Sequence, residues 1–95
     1  MNEAEKACSK RKLLKKQFGQ FKDSIDLTKI SPEEARIRIE RLDVICTQYH
    51  STQDTIEEIV LNAKDDDELD AQIQKRTDFE NEFYSLKAKL TSIVN

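Results

Sequence analysis

The stretch LDVICTQYHSTQDTIEEIVLNA, residues 42–63, decides the fold of this chain. Apolar or small side chains recur in it every three or four residues, at Leu42, Ile45, Tyr49, Thr52, Ile56, Ile59 and Ala63. This spacing places them on one face of an α-helix, as a heptad seam. Because the seam needs cover from water, the segments on either side are predicted to be helices that pack against it.

The composition favours a small helical bundle. Of the 95 residues, 37% are apolar and 37% are charged, so only a narrow core can form. An average globular domain is roughly 45–50% apolar. The chain has one glycine and one proline, which leaves little turn chemistry for β-hairpins. We therefore predict a single all-α domain spanning residues 1–95.

The sequence also bears on location. No stretch approaches the roughly 20 apolar residues of a membrane span, and residues 1–11 lack the apolar core of a signal peptide. The two cysteines, Cys8 and Cys46, fit a reducing compartment. From these features we expect an intracellular, cytoplasmic protein.

Capping residues mark the start of the first two helices. Asn2 is a favourable N-cap and predicts a first helix over about residues 3–27. Ser31 is a second good cap, and Pro32 suits the first helical position because its missing N–H is no loss there. Together they predict a second helix over about residues 32–64.

The third helix is predicted to begin in an acidic run. Asp65–Glu68 is favourable at a helix N-terminus because carboxylates complement the positive end of the helix dipole, so we predict a helix over about residues 66–94. Neither glycine nor proline separates it from the second helix, which leaves one continuous helix from Pro32 to Val94 as an alternative. Short connections favour antiparallel neighbours, and the prediction is an up-down-up, coiled-coil-like three-helix bundle.

Two groups of apolar residues are predicted to lie outside the core. The second helix extends past the start of the first helix. The end of the bundle that holds the connection between the second and third helices should therefore carry an apolar tip that the first helix does not cover. On the second helix, Ile37 and Val44 fall almost opposite the seam at 100° per residue. Exposed apolar surface of this kind marks contact sites between proteins. The candidate self-association residues are Ile37, Val44, Ile56, Ile59, Val60, Leu69 and Ile73.

Charge is distributed unevenly along the chain. The formal net charge is −3, yet residues 1–30 carry eight Lys or Arg against four Asp or Glu, and the remaining two thirds are acidic. Attraction between a basic first helix and two acidic ones is one explanation. A first helix that binds RNA or an anionic membrane is the other. The basic-patch candidates are Lys6, Lys10, Lys12, Lys15 and Lys16.

Cys46 and His50 are four residues apart, a spacing that brings two side chains to one face of a helix. A structural zinc site needs two more ligands, and the nearby Asp43 and Asp54 complete no recognised set. A thiol and an imidazole can also act as nucleophile and base, but no Gly-rich turn or helix N-terminus is placed to stabilise an oxyanion. We expect no catalytic residue, no metal ion and no cofactor, and therefore no enzyme.

Three arginines take seam positions, one in each predicted helix. They are Arg11, Arg38 and Arg76. A seam arginine usually lies at a frayed end or extends its stem over apolar neighbours. We therefore expect loose packing around these three and no functional role.

Three stretches together resemble a known family. They are Lys10-Arg11-Lys12-Leu13-Leu14, the Tyr-x-x-x-Gln stretch from Tyr49 to Gln53, and Phe79-Glu80-x-x-Phe83-Tyr84-x-Leu86. In this order they resemble the N-terminal Gag region of BEL/Pao-type LTR retrotransposons, or a host protein derived from one. The resemblance implies a helical module that contributes to self-assembly, as the N-terminal segment of a longer Gag-like protein. It supplies no functional residue to carry over.

The leading functional hypothesis is a self-association module that forms a homo-oligomer through helical surfaces. Two hypotheses of other classes stay open. In one, the basic first helix binds nucleic acid or an anionic membrane. In the other, the bundle is an adaptor that docks a helix of another protein in its groove.

Overall fold

The computed structural model describes residues 2–95 and contains three α-helices, α1 (Glu3–Asp23), α2 (Pro32–Asn62) and α3 (Asp66–Val94). α2 is the central helix and packs along both others, whereas α1 and α3 touch each other much less. The bundle measures 47 × 24 × 16 Å. The predicted all-α three-helix bundle is confirmed.

Side-chain caps begin each helix at the position that the sequence predicts. Asn2, Ser31 and Asp65 each accept a hydrogen bond from the backbone N–H three residues further on, at 2.8, 3.1 and 3.0 Å. Each bond satisfies one of the N–H groups that the first turn of a helix leaves without a partner. Pro32 occupies the first turn of α2.

α1 ends at Asp23, four residues before the predicted position. After the C-cap Ser24, the carboxylate of Asp26 accepts hydrogen bonds from the backbone N–H and the hydroxyl of Thr28, at 3.0 and 2.6 Å. This Asx turn offers the backbone an alternative to the helix, and the bonds from Thr28 also lower the pKa of Asp26. The chain therefore leaves the helix before Leu27.

α2 ends at Asn62, two residues before the predicted position. Lys64 has a φ of 58°, in the left-handed region that commonly terminates a helix. Asp65 then caps α3, which folds back along α2. The alternative of one continuous helix from Pro32 to Val94 is therefore wrong.

The main core lies at the end of the bundle that holds the α1–α2 connection, which we call the apolar end. Tyr49 and Phe79 stack with ring centroids 3.7 Å apart, and Phe18 meets Phe79 at 5.2 Å. The Tyr49 hydroxyl donates to the carbonyl oxygen of Lys75 at 3.3 Å, so it has a partner. The buried members of the core are Phe18, Ala35, Leu42, Ile45, Cys46, Tyr49, Phe79, Phe83, Leu86 and Leu90.

The other half of the bundle is joined by polar side chains. Arg11 of α1 donates to the side-chain oxygens of Gln53 in α2, at 3.0 Å, and Gln72 in α3, at 2.5 Å. The Gln53 amide donates to the carbonyl oxygen of Gln72 at 2.9 Å, and the Gln72 amide donates to Glu68 at 2.7 Å. Gln53 and Gln72 are buried. We call these four residues the polar layer.

The seam arginines are more specifically bonded than the sequence suggests. Arg11 is the centre of the polar layer. Arg76 of α3 pairs with Asp54 of α2 and, at 2.9 Å, with Glu57. The hydrogen bond to Glu57 raises the pKa of Arg76 above its ordinary value. The expectation of loose packing is thus wrong for both, because each arginine has acceptors on the neighbouring helices.

Candidate interaction surfaces

The outer side of α2 carries two of the predicted self-association residues. Ile37 and Val44 are 65% and 46% exposed. They are seven residues, or about two turns, apart, so they lie one above the other along the helix. Beside Val44 is a shallow depression of about 360 Å³, which Asp43, Thr47 and Gln48 complete. We call Ile37, Val44 and this depression the α2 outer face.

The burial of the seam forces this face outward. Ala35 and Leu42 are fully buried. Ile37 and Val44 each follow one of them by two residues, which is about 200° around a helix. A helix that buries Ala35 and Leu42 against its neighbours must therefore leave Ile37 and Val44 on its far side.

The predicted apolar tip is smaller than the sequence suggests. Ile56 is 4% exposed and belongs to the interior. Ile73 is 44% exposed, and Leu61, which the sequence did not single out, is 58% exposed. The half-buried members of the tip are Ile59, Val60 and Leu69. Leu61 lies off the seam of α2, so its helical phase is the signal that could have predicted its exposure.

Three of the basic-patch candidates line a groove between α1 and α3. Lys12, Lys15 and Lys16 of α1 meet Lys75 of α3 across a space of about 450 Å³, beside Arg11. We call this the basic groove. Its other lining residues are Cys8 and Tyr49, so no carboxylate lines it.

The other two candidates point elsewhere, and one contributor was missed. Lys6 and Lys10 line a separate depression beside α2, in the company of Glu3. Lys75 lies near the buried side of α3, three residues after Gln72, but only the antiparallel packing brings it opposite the lysines of α1. The basic patch is therefore split between two sides of α1.

The lysines of α1 make no ion pair with the acidic helices. Throughout residues 2–95, the pairs within 4.0 Å are Lys29–Asp26, His50–Glu80, Arg76–Asp54, Arg76–Glu57 and Lys87–Asp43. None involves a residue of α1. The explanation of its charge by attraction within the bundle therefore has no close contact to support it.

Cys46, His50 and Glu80 form a row whose residue types match a catalytic triad. Sγ of Cys46 lies 3.7 Å from Nδ1 of His50, and Nε2 of His50 lies 3.9 Å from a carboxylate oxygen of Glu80. Burial raises the pKa of the Cys46 thiol, and the carboxylates of Asp43 and Glu80 raise it further. A nucleophilic cysteine needs a lowered pKa and access to solvent, so the row lacks the properties of a reactive site.

Residues 2–95 contain neither a group of metal-ligating side chains nor a helix that could span a membrane. No group of three or more Cys, His, Asp or Glu side chains is placed to hold a metal ion. No helix in this range has both the length and the apolar content that crossing a lipid bilayer requires.

Comparisons of the chain with models of known protein families, with curated proteins and with solved structures gave no significant match. The resemblance to the Gag region of BEL/Pao-type elements rests on the three quoted stretches and stays a prediction. Inference about function therefore depends on two surfaces, the α2 outer face and the basic groove.

Proposed function

We propose that this chain is a non-enzymatic self-association module that forms a homo-oligomer through the α2 outer face. The observation that carries the proposal is the exposure of Ile37 and Val44, two large apolar side chains aligned on the solvent side of the central helix. Other large apolar side chains are also exposed, at Leu13, Leu61, Ile73 and Tyr84, but Ile37 is the most exposed of the group and shares one helix face with Val44. Aligned apolar side chains on a helix surface suit a partner helix with the same pattern.

The same face on two copies would form an isologous contact with twofold symmetry. Full burial of one Val or Ile side chain gives about 1.5–3 kcal/mol, and these side chains are already about half covered. Four of them in a dimer then give about 4 kcal/mol. Association costs an estimated 4 kcal/mol or more, so these four side chains at best offset that cost, and the rest of the α2 outer face must supply the binding energy of a weak dimer. We expect a mass that rises with concentration, and stable assembly needs a further contact.

The resemblance to an N-terminal Gag region supports the same role. Under this proposal the chain is the assembly segment of a longer Gag-like protein, and it needs no catalytic group or cofactor. A cytoplasmic location fits its free thiols, Cys8 and Cys46, because a reducing compartment keeps thiols unpaired.

The test is the double variant Ile37→Glu, Val44→Glu. Its two carboxylates would be desolvated in the proposed contact, so we expect the oligomer to be lost while the circular dichroism spectrum keeps its helical content. The matched control is Gln20→Glu, which adds a carboxylate at an exposed position of α1 that lies outside the α2 outer face and removes no apolar group. Light scattering after size exclusion measures the mass. An unchanged mass of the double variant would show that the α2 outer face is not the contact.

A further inference from the structure

We propose that the basic groove binds the acidic turn between α2 and α3 of a second copy of this chain. This inference deepens the self-association proposed above and rests on it. The acidic turn comprises Asp65, Asp66, Asp67, Glu68 and Asp70. The inference rests on two complementary surfaces of one chain, a basic groove without carboxylates and an exposed run of carboxylates.

The groove concentrates positive charge in an acidic protein. It is lined by Arg11, Lys12, Lys15, Lys16 and Lys75, whereas the chain as a whole carries a formal charge of −3. None of the four lysines takes part in an ion pair within the described range of 2–95. A concave surface lined by one sign of charge focuses its field, so it attracts an anionic group.

The acidic turn is accessible. All five of its residues are exposed. The carboxylate of Asp65 caps α3 and that of Glu68 accepts from Gln72. In the part of the chain that the structure describes, Asp66, Asp67 and Asp70 make no side-chain hydrogen bond, so their carboxylates remain available to a partner.

The turn also protrudes. Glu3, in the first turn of α1, lines a depression with Thr52 and Thr55 of α2, so α1 begins level with Thr55. α2 continues to Asn62, seven residues or about 10 Å further. The acidic turn therefore lies beyond the end of α1, where another molecule can approach it without meeting that helix.

The turn cannot fill the groove of its own molecule. Asp66 and Lys75 lie on the same helix, nine residues apart, which places their backbones about 13 Å from each other along its axis. The complementary surfaces of one chain are thus held apart. They can meet only between copies.

A compact acidic group fits the groove better than an extended polyanion does. The neighbouring stretch of the α1–α3 interface is lined by two carboxylates, of Asp23 and Glu82, and two lysines, Lys22 and Lys89, so it offers no net positive charge to a long phosphate chain that follows the interface. Tyr49, the aromatic residue in the groove, is fully buried and offers no face for bases to stack on. A bilayer surface is flat on this scale and does not enter a groove.

When each groove takes the turn of a different copy, the contact is heterologous. The α2 outer face forms an isologous contact. A chain with one contact of each kind can extend beyond a dimer, which fits an assembly module. Because exposed charges are screened by salt, the groove contact is expected to weaken about tenfold or more between about 50 mM and 500 mM salt, and the apolar contact is not.

The test uses two charge-reversal variants and a matched control. The groove variant is Lys15→Glu, Lys16→Glu, and the turn variant is Asp66→Lys, Asp67→Lys. The control, Lys6→Glu with Lys10→Glu, makes the same charge change on α1 but outside the groove. Sedimentation velocity at about 50 mM salt should show reduced association for both test variants and wild-type behaviour for the control.

Mixing the two variants provides the decisive observation. The groove variant keeps an intact acidic turn, and this turn fits the intact basic groove of the turn variant. An equimolar mixture should therefore recover the salt-sensitive part of the association, which each variant alone lacks. An unfolded variant could not be rescued in this way. If the mixture associates no more than the separate variants do at about 50 mM salt, or if the groove variant alone associates like the wild type, the proposal is wrong.

The remaining outcomes separate this inference from the proposed function. If Ile37→Glu, Val44→Glu abolishes a salt-resistant dimer while the groove variant keeps wild-type mass at low salt, the α2 contact stands and the groove contact falls. If the mixture recovers association but the α2 variant keeps wild-type mass at high salt, the groove contact is supported and the α2 contact is wrong. If the groove variant keeps its mass but no longer binds duplex RNA that the wild type binds, the groove takes a polyanion and the proposal is overturned.

Discussion

At the apolar end of the bundle, the Tyr49 and Phe79 rings stack at 3.7 Å and contacts between carbon atoms hold the three helices together. In the other half, Arg11 joins the helices through hydrogen bonds to Gln53 and Gln72. The apolar end depends on filled volume. The polar layer depends on every donor and acceptor having a partner. It also fixes the position of α1 along the bundle axis, because Arg11 can bond to both glutamines from only one position along that axis.

This difference predicts opposite responses to mutation. Removal of a core ring leaves a cavity that its neighbours fill poorly, whatever else is changed. Removal of one member of the polar layer leaves buried polar atoms without a hydrogen-bond partner. Replacement of its buried members together leaves no buried polar atom that needs a partner.

The largest effect is expected at the apolar end. Phe79→Ala removes the ring that touches Phe18, Tyr49 and Phe83, and we expect the free energy of unfolding to fall by about 3–5 kcal/mol. Tyr84→Ala is the matched control, since Tyr84 is 56% exposed and its loss should change stability by about 0.5 kcal/mol or less. Urea unfolding measures both. A loss below about 1 kcal/mol for Phe79→Ala would show that the stack is not the centre of the core.

The polar layer gives the next largest effect. Arg11→Ala leaves the side-chain oxygens of Gln53 and Gln72 without this donor, and we expect a loss of about 1–3 kcal/mol in urea unfolding. Lys10→Ala, one residue away and exposed, controls for the change to alanine.

The combined variant Arg11→Met, Gln53→Leu, Gln72→Leu sharpens the comparison. It replaces three of the four members of the polar layer with apolar groups and leaves only Glu68, which is exposed to water, so its stability should return close to that of the wild type. If the three losses simply add, the polar layer is not a unit, and the distinction between the two halves of the bundle fails.

A smaller effect is expected at Gly19, in the part of α1 that belongs to the apolar end, between Phe18 and Phe21. Glycine in a helix interior costs about 1 kcal/mol relative to alanine, and a methyl group at this position would meet no atom within 4 Å. Gly19→Ala should therefore raise the free energy of unfolding by up to about 1 kcal/mol. Gln20→Ala, the neighbouring change, should have little effect. A destabilised Gly19→Ala would show that α1 packs more closely at this point than the structure indicates.

The smallest effect is a dependence of stability on pH at the apolar end. Burial raises the pKa of the Cys46 thiol, so the folded state holds its proton to a higher pH than the unfolded chain does. This contribution is fully present below about pH 8.5 and is lost as the pH rises through the raised pKa. The stability advantage of wild type over Cys46→Ala should shrink between pH 7 and pH 10, measured by urea unfolding. Thr47→Ala, at the next position of α2 and without a titratable side chain, is the control for a change to alanine.

The parts of the fold that follow from local chemistry could be predicted from the sequence. Asn2, Ser31 and Asp65 cap helices where their residue types predict, and the seam of α2 gives the three-helix architecture. The end of α1 could not be placed as well, because the bonds between Asp26 and Thr28 compete with helix over a few residues. The left-handed Lys64 likewise ends α2 without the glycine that usually marks such a position.

The surfaces were less predictable, because they depend on partners in the fold. The outward position of Ile37 and Val44 follows from helical phase alone. The burial of Ile56 and the arrival of Lys75 in the basic groove follow from how α3 lies against its neighbours. Arg11 took a seam position that periodicity marks as poorly packed, and only the fold shows that two glutamines receive it.

The measurement that tests the central claim most directly is the solution mass of the wild-type chain over a concentration series, by sedimentation equilibrium. The monomer has a mass of 11.1 kDa. The account predicts a mass that rises above this value with concentration, because the α2 outer face associates weakly. A mass of 11.1 kDa at every concentration would contradict it and would favour an adaptor that docks another protein's helix.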